Sequence, residues 1–232
     1  MDLVVKGGLQ GIEWGGDVHV PHGNLERARE VGRMTRDAGL AIASYGSYYR
    51  VGHEEPAPFE AVLDTAAALK APTIRVWAGN KGSADADKEY RESVVTESRR
   101  IGELAARVHI QVAYEYHGAT LTDTAASTQK LLEEVGLPNV KSYWQPWGTV
   151  EECTAGLESV LPSLVHVHAY SWDQATGERL PLSGRVALWR RCLRMLRTTG
   201  RDHFVLLEFV RNDSPDAFLE DAETLARWRT GD

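Results

Sequence analysis

The sequence lacks several features that define whole classes of protein. It has two cysteines in 232 residues, Cys153 and Cys192, which lie far apart and show no metal-type spacing. This usage predicts reduced, buried thiols and a cytoplasmic location rather than a disulfide scaffold. No apolar run approaches the roughly 18 residues that a membrane span requires. The first residues also lack the layout of a signal peptide.

Clustered positive charge is missing as well. The formal net charge is −7, and no stretch of the chain is a block of like charge. Because nucleic-acid binding needs clustered Lys and Arg to neutralise phosphates, neither a nucleic acid nor a membrane is expected as a partner. The expected partner is therefore a small molecule.

Strand and helix patterns alternate along the whole chain. Seven strands are predicted, and each contains a marker residue: Glu13, Ser44, Arg75, Glu115, Gln145, His168 and Glu208. Helices are predicted between them, over 24–38, 58–69, 85–108, 122–135, 150–160 and 184–199, and a last one begins after Ser214. Thr122 and Ser214 are predicted as N-caps. This alternation predicts an α/β fold with a parallel sheet.

The α/β pattern leaves a barrel and a doubly wound sheet as alternatives. A doubly wound sheet would place a glycine-rich phosphate turn after the first strand, and Gly11–Gly16 does not have that form. Polar residues stand at several strand tips instead. This favours a TIM (β/α) barrel that forms one domain over residues 1–232. With seven visible βα units, the barrel is predicted to lack its first strand. We expect residues 1–10 or a second copy, in a homodimer, to cover the open edge.

Four strand ends carry residues that together suit a metal ion. Glu115, Gln145 and Glu208 offer oxygen atoms, and His166 or His168 offers an imidazole nitrogen. Each residue alone has an ordinary structural explanation. Placed at equivalent strand tips they form a hard ligand set, which suits Mn²⁺, Mg²⁺, Co²⁺ or Zn²⁺ better than a thiolate-preferring ion.

Other candidates for a substrate pocket follow from their positions near strand tips. Arg75 would bind a carboxylate or phosphate, and Trp77 would form a wall against the substrate. Trp77 and Trp144 also suit ordinary core packing. The remaining candidates near these tips are Glu13, Asp17, His19, His117 and Arg179.

Several of these segments together resemble a known family. They are Gly11–His19, the strand that ends at Glu115, Tyr143–Pro146, His166–His168 and Leu206–Val210. In this order, over essentially the whole chain, they are similar to the sugar phosphate isomerase/epimerase family of the xylose-isomerase-like TIM-barrel superfamily.

The resemblance implies a divalent metal ion held by Glu115, Gln145, His168 and Glu208. His168 is preferred to His166 because it lies nearer the strand tip. Gln145 stands where the family commonly has Asp, and Gly148 stands where epimerases of this group often have His. The implied site therefore has one negative charge fewer than the common one.

The implied activity is a metal-dependent isomerase or epimerase that acts on a small, sugar-like polyhydroxy carbonyl compound. Glu115 and Glu208 would be the catalytic acid and base that take and return a proton through an enediolate. Glu13, His19, Arg75, Trp77 and His117 would contact the substrate. A hydride shift, a keto-polyol dehydratase, a binding barrel without activity and a phosphodiesterase-type nuclease remain alternatives. The acidic chain and the absence of clustered histidines disfavour the nuclease.

Overall fold

The computed structural model describes residues 1–53, 55 and 57–230, apart from the side chain of Thr230. They fall into two compact units. The central unit is Gly11–Tyr143, and the terminal unit is Met1–Gln10 together with Trp144–Asp232. In the described part of the chain, no helix has the length and apolar character needed to cross a membrane.

The central unit is built from parallel strands that alternate with helices. Its elements are β1 (Gly11–Gly15), α2 (Leu25–Asp37), β2 (Ala41–Arg50), α3 (Phe59–Leu69), β3 (Thr73–Trp77), α4 (Lys88–Ala106), β4 (Gln111–Tyr114), α5 (Ala125–Val135) and β5 (Val140–Trp144), whose last residue belongs to the terminal unit. Each strand pairs in parallel with the next one along the chain. The C-terminal ends of consecutive strands therefore lie side by side.

Apolar side chains between the sheet and its helices form the core of the central unit. Phe59, Val62 and Leu69 of α3 are fully buried, as are Ile74 of β3 and Val112 of β4. Burial of each such side chain contributes roughly 1.5–3 kcal/mol to folding before entropy is counted. This core fixes the strands, and with them the polar residues at the strand ends.

The terminal unit begins with α1 (Asp2–Lys6) and continues after β5. Its other elements are α6 (Val150–Val160), β6 (Leu164–Ala169), β7 (Ser171–Trp172), β8 (Arg179–Leu180), α7 (Val186–Thr198), β9 (Val205–Leu207) and α8 (Pro215–Thr230). Strands β6 and β9 pair in parallel, with Val167 opposite Val205. Helix α1 packs on α8, where Gly7 lies close to Ala222.

The structure contains a parallel strand at each of the seven predicted positions, and it corrects some element boundaries. Helix α5 begins after Thr124, whose side chain accepts a hydrogen bond from the Ser127 N–H, so the predicted N-cap Thr122 is wrong. The Thr122 hydroxyl instead donates to the Glu115 carbonyl at 2.6 Å. Residues 184 and 185, predicted as the start of an α-helix, belong to a 3₁₀ turn over Leu182–Arg185 before α7.

A short hairpin in the terminal unit was not predicted. Strands β7 and β8 pair antiparallel, with Trp172 opposite Arg179. The Asp173 carboxylate closes the intervening turn by accepting hydrogen bonds from the backbone N–H groups of Ala175 and Thr176. Two-residue strands carry too little periodicity to be recognised in a sequence.

Candidate functional site

In the central unit, the ends of β1, β2 and β3 bring a carboxylate, a hydroxyl and a guanidinium together. Glu13 lies opposite Ser44 in the parallel register, and its Oε2 accepts a hydrogen bond from the Ser44 hydroxyl at 2.5 Å. Its Oε1 accepts from Arg75 Nε at 2.8 Å. A Cβ at Gly46 would lie 2.7 Å from Arg75 Nη2, so a larger residue at that position would crowd the ion pair.

The same guanidinium reaches the carboxylate at the end of β4. Arg75 Nη1 donates to Glu115 Oε2, and the indole Nε1 of Trp77 donates to the same oxygen at 2.5 Å. Arg75 is 3% exposed and Glu115 is 4% exposed. The buried Arg75 guanidinium therefore lies between two carboxylates, and Glu13 and Glu115 compensate its positive charge. This arrangement orients Glu115 firmly.

Tyr143, the last residue of the central unit, lies beside this network. Its side chain is fully buried. Burial raises the pKa of the Tyr143 phenol well above its usual value, and the nearby negative charge of Glu13 raises the pKa further. The phenol therefore stays neutral next to the Glu13 carboxylate.

Aromatic side chains cover the Arg75 and Glu115 pair. The Tyr48 ring lies 5.0 Å from the Arg75 guanidinium carbon and meets the Trp77 ring edge-on at 5.7 Å. The His117 ring packs on Trp77 with their centroids 4.9 Å apart. Trp77 thus contacts both Glu115 and His117, and the roles of Trp77 and His117 as substrate contacts remain predictions.

Two other predicted residues make only local contacts. His19 is exposed, and its ring meets Trp14 edge-on at 5.4 Å. The Asp17 carboxylate accepts a hydrogen bond from the Val18 N–H at 2.9 Å. Within the described residues, neither side chain makes a hydrogen bond to Glu13 or Glu115. The structure thus places His19 and Asp17 outside the hydrogen-bonded network.

In the terminal unit, the ends of β6 and β9 bring an imidazole and a carboxylate together. His168 lies opposite Leu206 in the register, and the Glu208 N–H donates to the Ala169 carbonyl at 3.0 Å. These pairings place His168 Nδ1 3.4 Å from Glu208 Oε2. His168 is 2% exposed, whereas the Glu208 side chain is 27% exposed.

His166, the alternative imidazole, has a structural contact of its own. Its Nδ1 accepts a hydrogen bond from the Phe204 N–H at 3.1 Å, and its ring meets the Phe204 ring edge-on. The bond uses one ring nitrogen to hold the segment before β9 against β6. This contact supports the choice of His168 rather than His166 as a ligand.

Two buried oxygen atoms of the terminal unit accept no hydrogen bond from the described residues. They are Oε1 of Gln145, which is 8% exposed, and Oε2 of Glu208. Buried acceptors of this kind normally have a partner. A hard divalent cation is a suitable one, because carboxylate and amide oxygens with an imidazole nitrogen form its usual ligand set.

Within the described residues, Glu115 in the central unit, and His168 and Glu208 in the terminal unit, each offer an atom of the kind that ligates a metal ion. Gln145 adds an amide oxygen of the same hard character. The donor chemistry of these residues fits a divalent ion.

An aromatic cluster in the terminal unit was missed by the sequence analysis. The rings of Tyr170, Trp172 and Phe209 lie 5.0–5.3 Å apart. Arg179, a weaker candidate from sequence, places its guanidinium 5.3 Å from the Phe209 centroid and pairs with Asp213 at 2.7 Å. The alternation of His168 and Tyr170 along one strand face was the signal that could have found the cluster.

Comparisons with known proteins identify a family. A family model described as a xylose isomerase-like TIM barrel matches residues 1–228. The match confirms the predicted barrel class and the resemblance stated from sequence.

Individual relatives carry both dehydratase and epimerase names. A 3-dehydroshikimate dehydratase from Bacillus anthracis is 27% identical over 256 residues, which cover 97% of this chain and 89% of the relative. The crystal structure of a probable 3-DHS dehydratase, AsbF, from the same organism has 26% identity and a TM-score of 0.81, and covers 97% of this chain and 91% of that one. A 3-keto-D-glucoside 4-epimerase from E. coli has a TM-score of 0.69 at 19% identity, covers 99% and 92%, and is similar in fold alone.

Proposed function

Because the chain belongs to the xylose isomerase-like TIM-barrel family, we propose that it is a metal-dependent lyase. Its substrate would be a small polyhydroxylated carbonyl compound of the 3-dehydroshikimate type, from which it removes water. The observation that carries this proposal is the 27% identity to a 3-dehydroshikimate dehydratase over 97% of the chain. The lyase, an alternative in the sequence analysis, thus moves ahead of the isomerase or epimerase.

The proposed metal ligands are Glu115, Gln145, His168 and Glu208. The buried, unbonded oxygens of Gln145 and Glu208 support this set, as does the hard character of its donor atoms. A divalent ion bound there would polarise the substrate carbonyl and lower the cost of the enediolate that forms when a proton leaves the adjacent carbon.

Glu115 is proposed to act mainly as a fixed ligand. Its Oε2 accepts hydrogen bonds from both Arg75 and Trp77, which hold the carboxylate in one orientation. Such outer-shell donors orient a ligand and tune its affinity. A carboxylate held this way is better suited to ligation and to orienting the substrate than to moving toward a carbon-bound proton.

Glu208 is proposed to be the general base. Its side chain is 27% exposed and lies 3.4 Å from the His168 imidazole, so it is both accessible and oriented. The Glu208 carboxylate would take the proton from the carbon beside the carbonyl, and the C–H electron pair would form the enediolate. When those electrons expel the hydroxyl group of the next carbon, protonated Glu208 would return the proton to it, and water would leave.

Epimerisation is the second candidate, because it shares the first step of this reaction. The proposed ligands include two carboxylates, Glu115 and Glu208, and in this reaction one would remove a proton and the other would return it to the opposite face. In that case the hydroxyl group would stay on the substrate, and solvent hydrogen would enter at the carbon beside the carbonyl.

The test is an assay of 3-dehydroshikimate with the purified protein and Mn²⁺, in which aromatic product is followed by ultraviolet absorbance. Wild type should form product and lose activity when the metal is chelated. Glu208→Gln should lower kcat by about 10²-fold or more, as expected for the loss of a general base. Glu158→Gln, an exposed carboxylate of the same unit, is the matched control and should keep full activity.

The outcomes separate the candidate functions. No elimination, together with deuterium uptake from D₂O at the carbon beside a ketose carbonyl, would replace the lyase with the epimerase. Neither reaction, with no metal bound at millimolar Mn²⁺, would favour a binding barrel. Turnover of Glu208→Gln at the wild-type rate would overturn the role given to that residue.

A further inference from the structure

The end of β2 has an unusual backbone. The side chains of Tyr48 and Arg50 in this segment both contact Trp77, which donates a hydrogen bond to Glu115. The parallel register with β3 shifts between Gly46 and Arg50, and Tyr48 within this bulge has φ +58°. A positive φ is rare for a bulky residue and is found mainly where the surrounding structure enforces it, often near functional sites. After the bulge, Arg50 lies opposite Trp77.

Arg50 stacks its guanidinium on the Trp77 indole. The guanidinium carbon lies 4.0 Å from the ring centroid. The nearby Glu55 carboxylate accepts a hydrogen bond from the Arg50 backbone N–H at 3.0 Å. Among the residues that the structure describes, no carboxylate lies within ion-pair distance of the Arg50 guanidinium. Stacking fixes the plane of the group and leaves its N–H edge available for a bidentate anion.

Arg50 is also close to the proposed site, because Trp77 connects the two. The ring under Arg50 donates its Nε1 hydrogen to Glu115 Oε2. We propose that Arg50 recognises an anionic group on the substrate, a carboxylate or a phosphate. This inference deepens the proposed function and rests on it for the position of the substrate beside Glu115.

Arg75, which the sequence analysis named for this role, is less suited to it. Its side chain is 4% exposed, and its guanidinium already pairs with Glu13 and Glu115. An additional anion at Arg75 would face two carboxylates and require their displacement. Arg50, which is partly buried and has its charge unpaired within the described residues, has neither obstacle.

The test compares charged and neutral forms of one probe by calorimetric binding to wild type, Arg50→Met and Arg50→Lys. The probes are 3-dehydroshikimate and its methyl ester for the carboxylate, and D-fructose 6-phosphate and D-fructose for the phosphate. Arg50→Met should weaken binding of the charged member of one pair by about tenfold or more, with the neutral member within about twofold. Arg50→Lys should recover part of the loss, since it keeps the charge and loses the bidentate geometry.

Arg107→Met, at an exposed position after α4, is the matched control and should leave all affinities unchanged. The pair that responds identifies the anion. Equal losses for charged and neutral probes, no loss in Arg50→Met, or no binding of any probe by wild type would overturn the role of Arg50. Because binding does not require turnover, the comparison of probe affinities can be interpreted even if the lyase assay detects no activity.

Discussion

The two units hold their charged site residues in different ways. In the central unit, the Arg75 guanidinium lies between the carboxylates of Glu13 and Glu115, so buried charge is compensated within the unit. In the terminal unit, the buried Gln145 Oε1 and Glu208 Oε2 accept no hydrogen bond from the described residues. The central unit thus provides its own cation, Arg75. The terminal unit instead provides oxygen acceptors that suit a bound metal cation.

This difference implies that equivalent substitutions should have different consequences. Removing Arg75 leaves the carboxylates of Glu13 and Glu115, which have little exposure to solvent, without a compensating positive charge. This lowers the free energy of unfolding. Changing a ligand in the terminal unit should instead alter affinity for a metal. Three predictions test this contrast, in order of decreasing expected effect.

Substitution of Arg75 should cause the largest loss of stability. Arg75→Met should lower the free energy of unfolding by about 3–5 kcal/mol, because it removes one partner of a buried ion network. Urea unfolding followed by circular dichroism measures the change. The control is Arg100→Met, which breaks ion pairs with Glu60 and Glu97 at a site where Arg100 is 44% exposed, and should cost about 1 kcal/mol or less.

A rescue experiment sharpens this prediction. Adding Glu13→Gln and Glu115→Gln to the Arg75→Met variant should recover part of the lost stability, since the uncompensated charges are then gone. If Arg75→Met costs no more than Arg100→Met, charge compensation is not what stabilises the central network.

A change at Gln145 should affect metal affinity rather than stability. Gln145→Glu adds a negative charge to the proposed ligand set and should tighten Mn²⁺ binding by about tenfold, or about 1.4 kcal/mol. His168→Ala should abolish binding. Calorimetric titration of Mn²⁺ measures both effects. Gln174→Glu, an exposed position in the same unit, changes net charge equally and should leave the affinity unchanged. The same affinity in Gln145→Glu as in wild type would contradict ligation by residue 145.

The smallest effect is expected at Asp221, a buried carboxylate of the terminal unit that is not among the proposed ligands. Its Oδ1 accepts a hydrogen bond from the Leu182 N–H at 2.7 Å, and burial raises the pKa of its carboxyl above the usual 3.8. The folded state therefore holds the proton more tightly than the unfolded state. Stability should fall as pH rises from about 4 through the raised folded pKa.

Asp221→Asn should remove this decline, because the substituted residue no longer titrates. Urea unfolding between pH 4 and pH 7 provides the measurement. Glu223→Gln, exposed on the same helix, is the control and should preserve the wild-type slope. A wild-type slope in Asp221→Asn would show that another group is responsible.

The sequence predicted the order of strands and helices well, because apolar periodicity and capping residues act locally. The strands ending near Glu13, Arg75 and Glu115 were located from such patterns, and the Ser214 cap with Pro215 at the start of α8 was also found. The exact start of α5 was not, because Thr122 and Thr124 are both suitable caps in sequence. Tertiary structure separates them, because the Thr122 hydroxyl donates to the Glu115 carbonyl whereas the Thr124 side chain accepts from the Ser127 N–H.

The sequence by itself determined which chemical groups stand at the strand ends, since strand periodicity and position in the βα pattern place Glu115, His168 and Glu208 there. Tertiary structure decided how those groups are partnered. It assigned Arg75 to two carboxylates, His166 to the Phe204 backbone and Arg50 to the Trp77 ring. The physical reason is that hydrogen bonds and ion pairs between strands depend on register and on the bulge at Tyr48, which involve residues far apart in the chain.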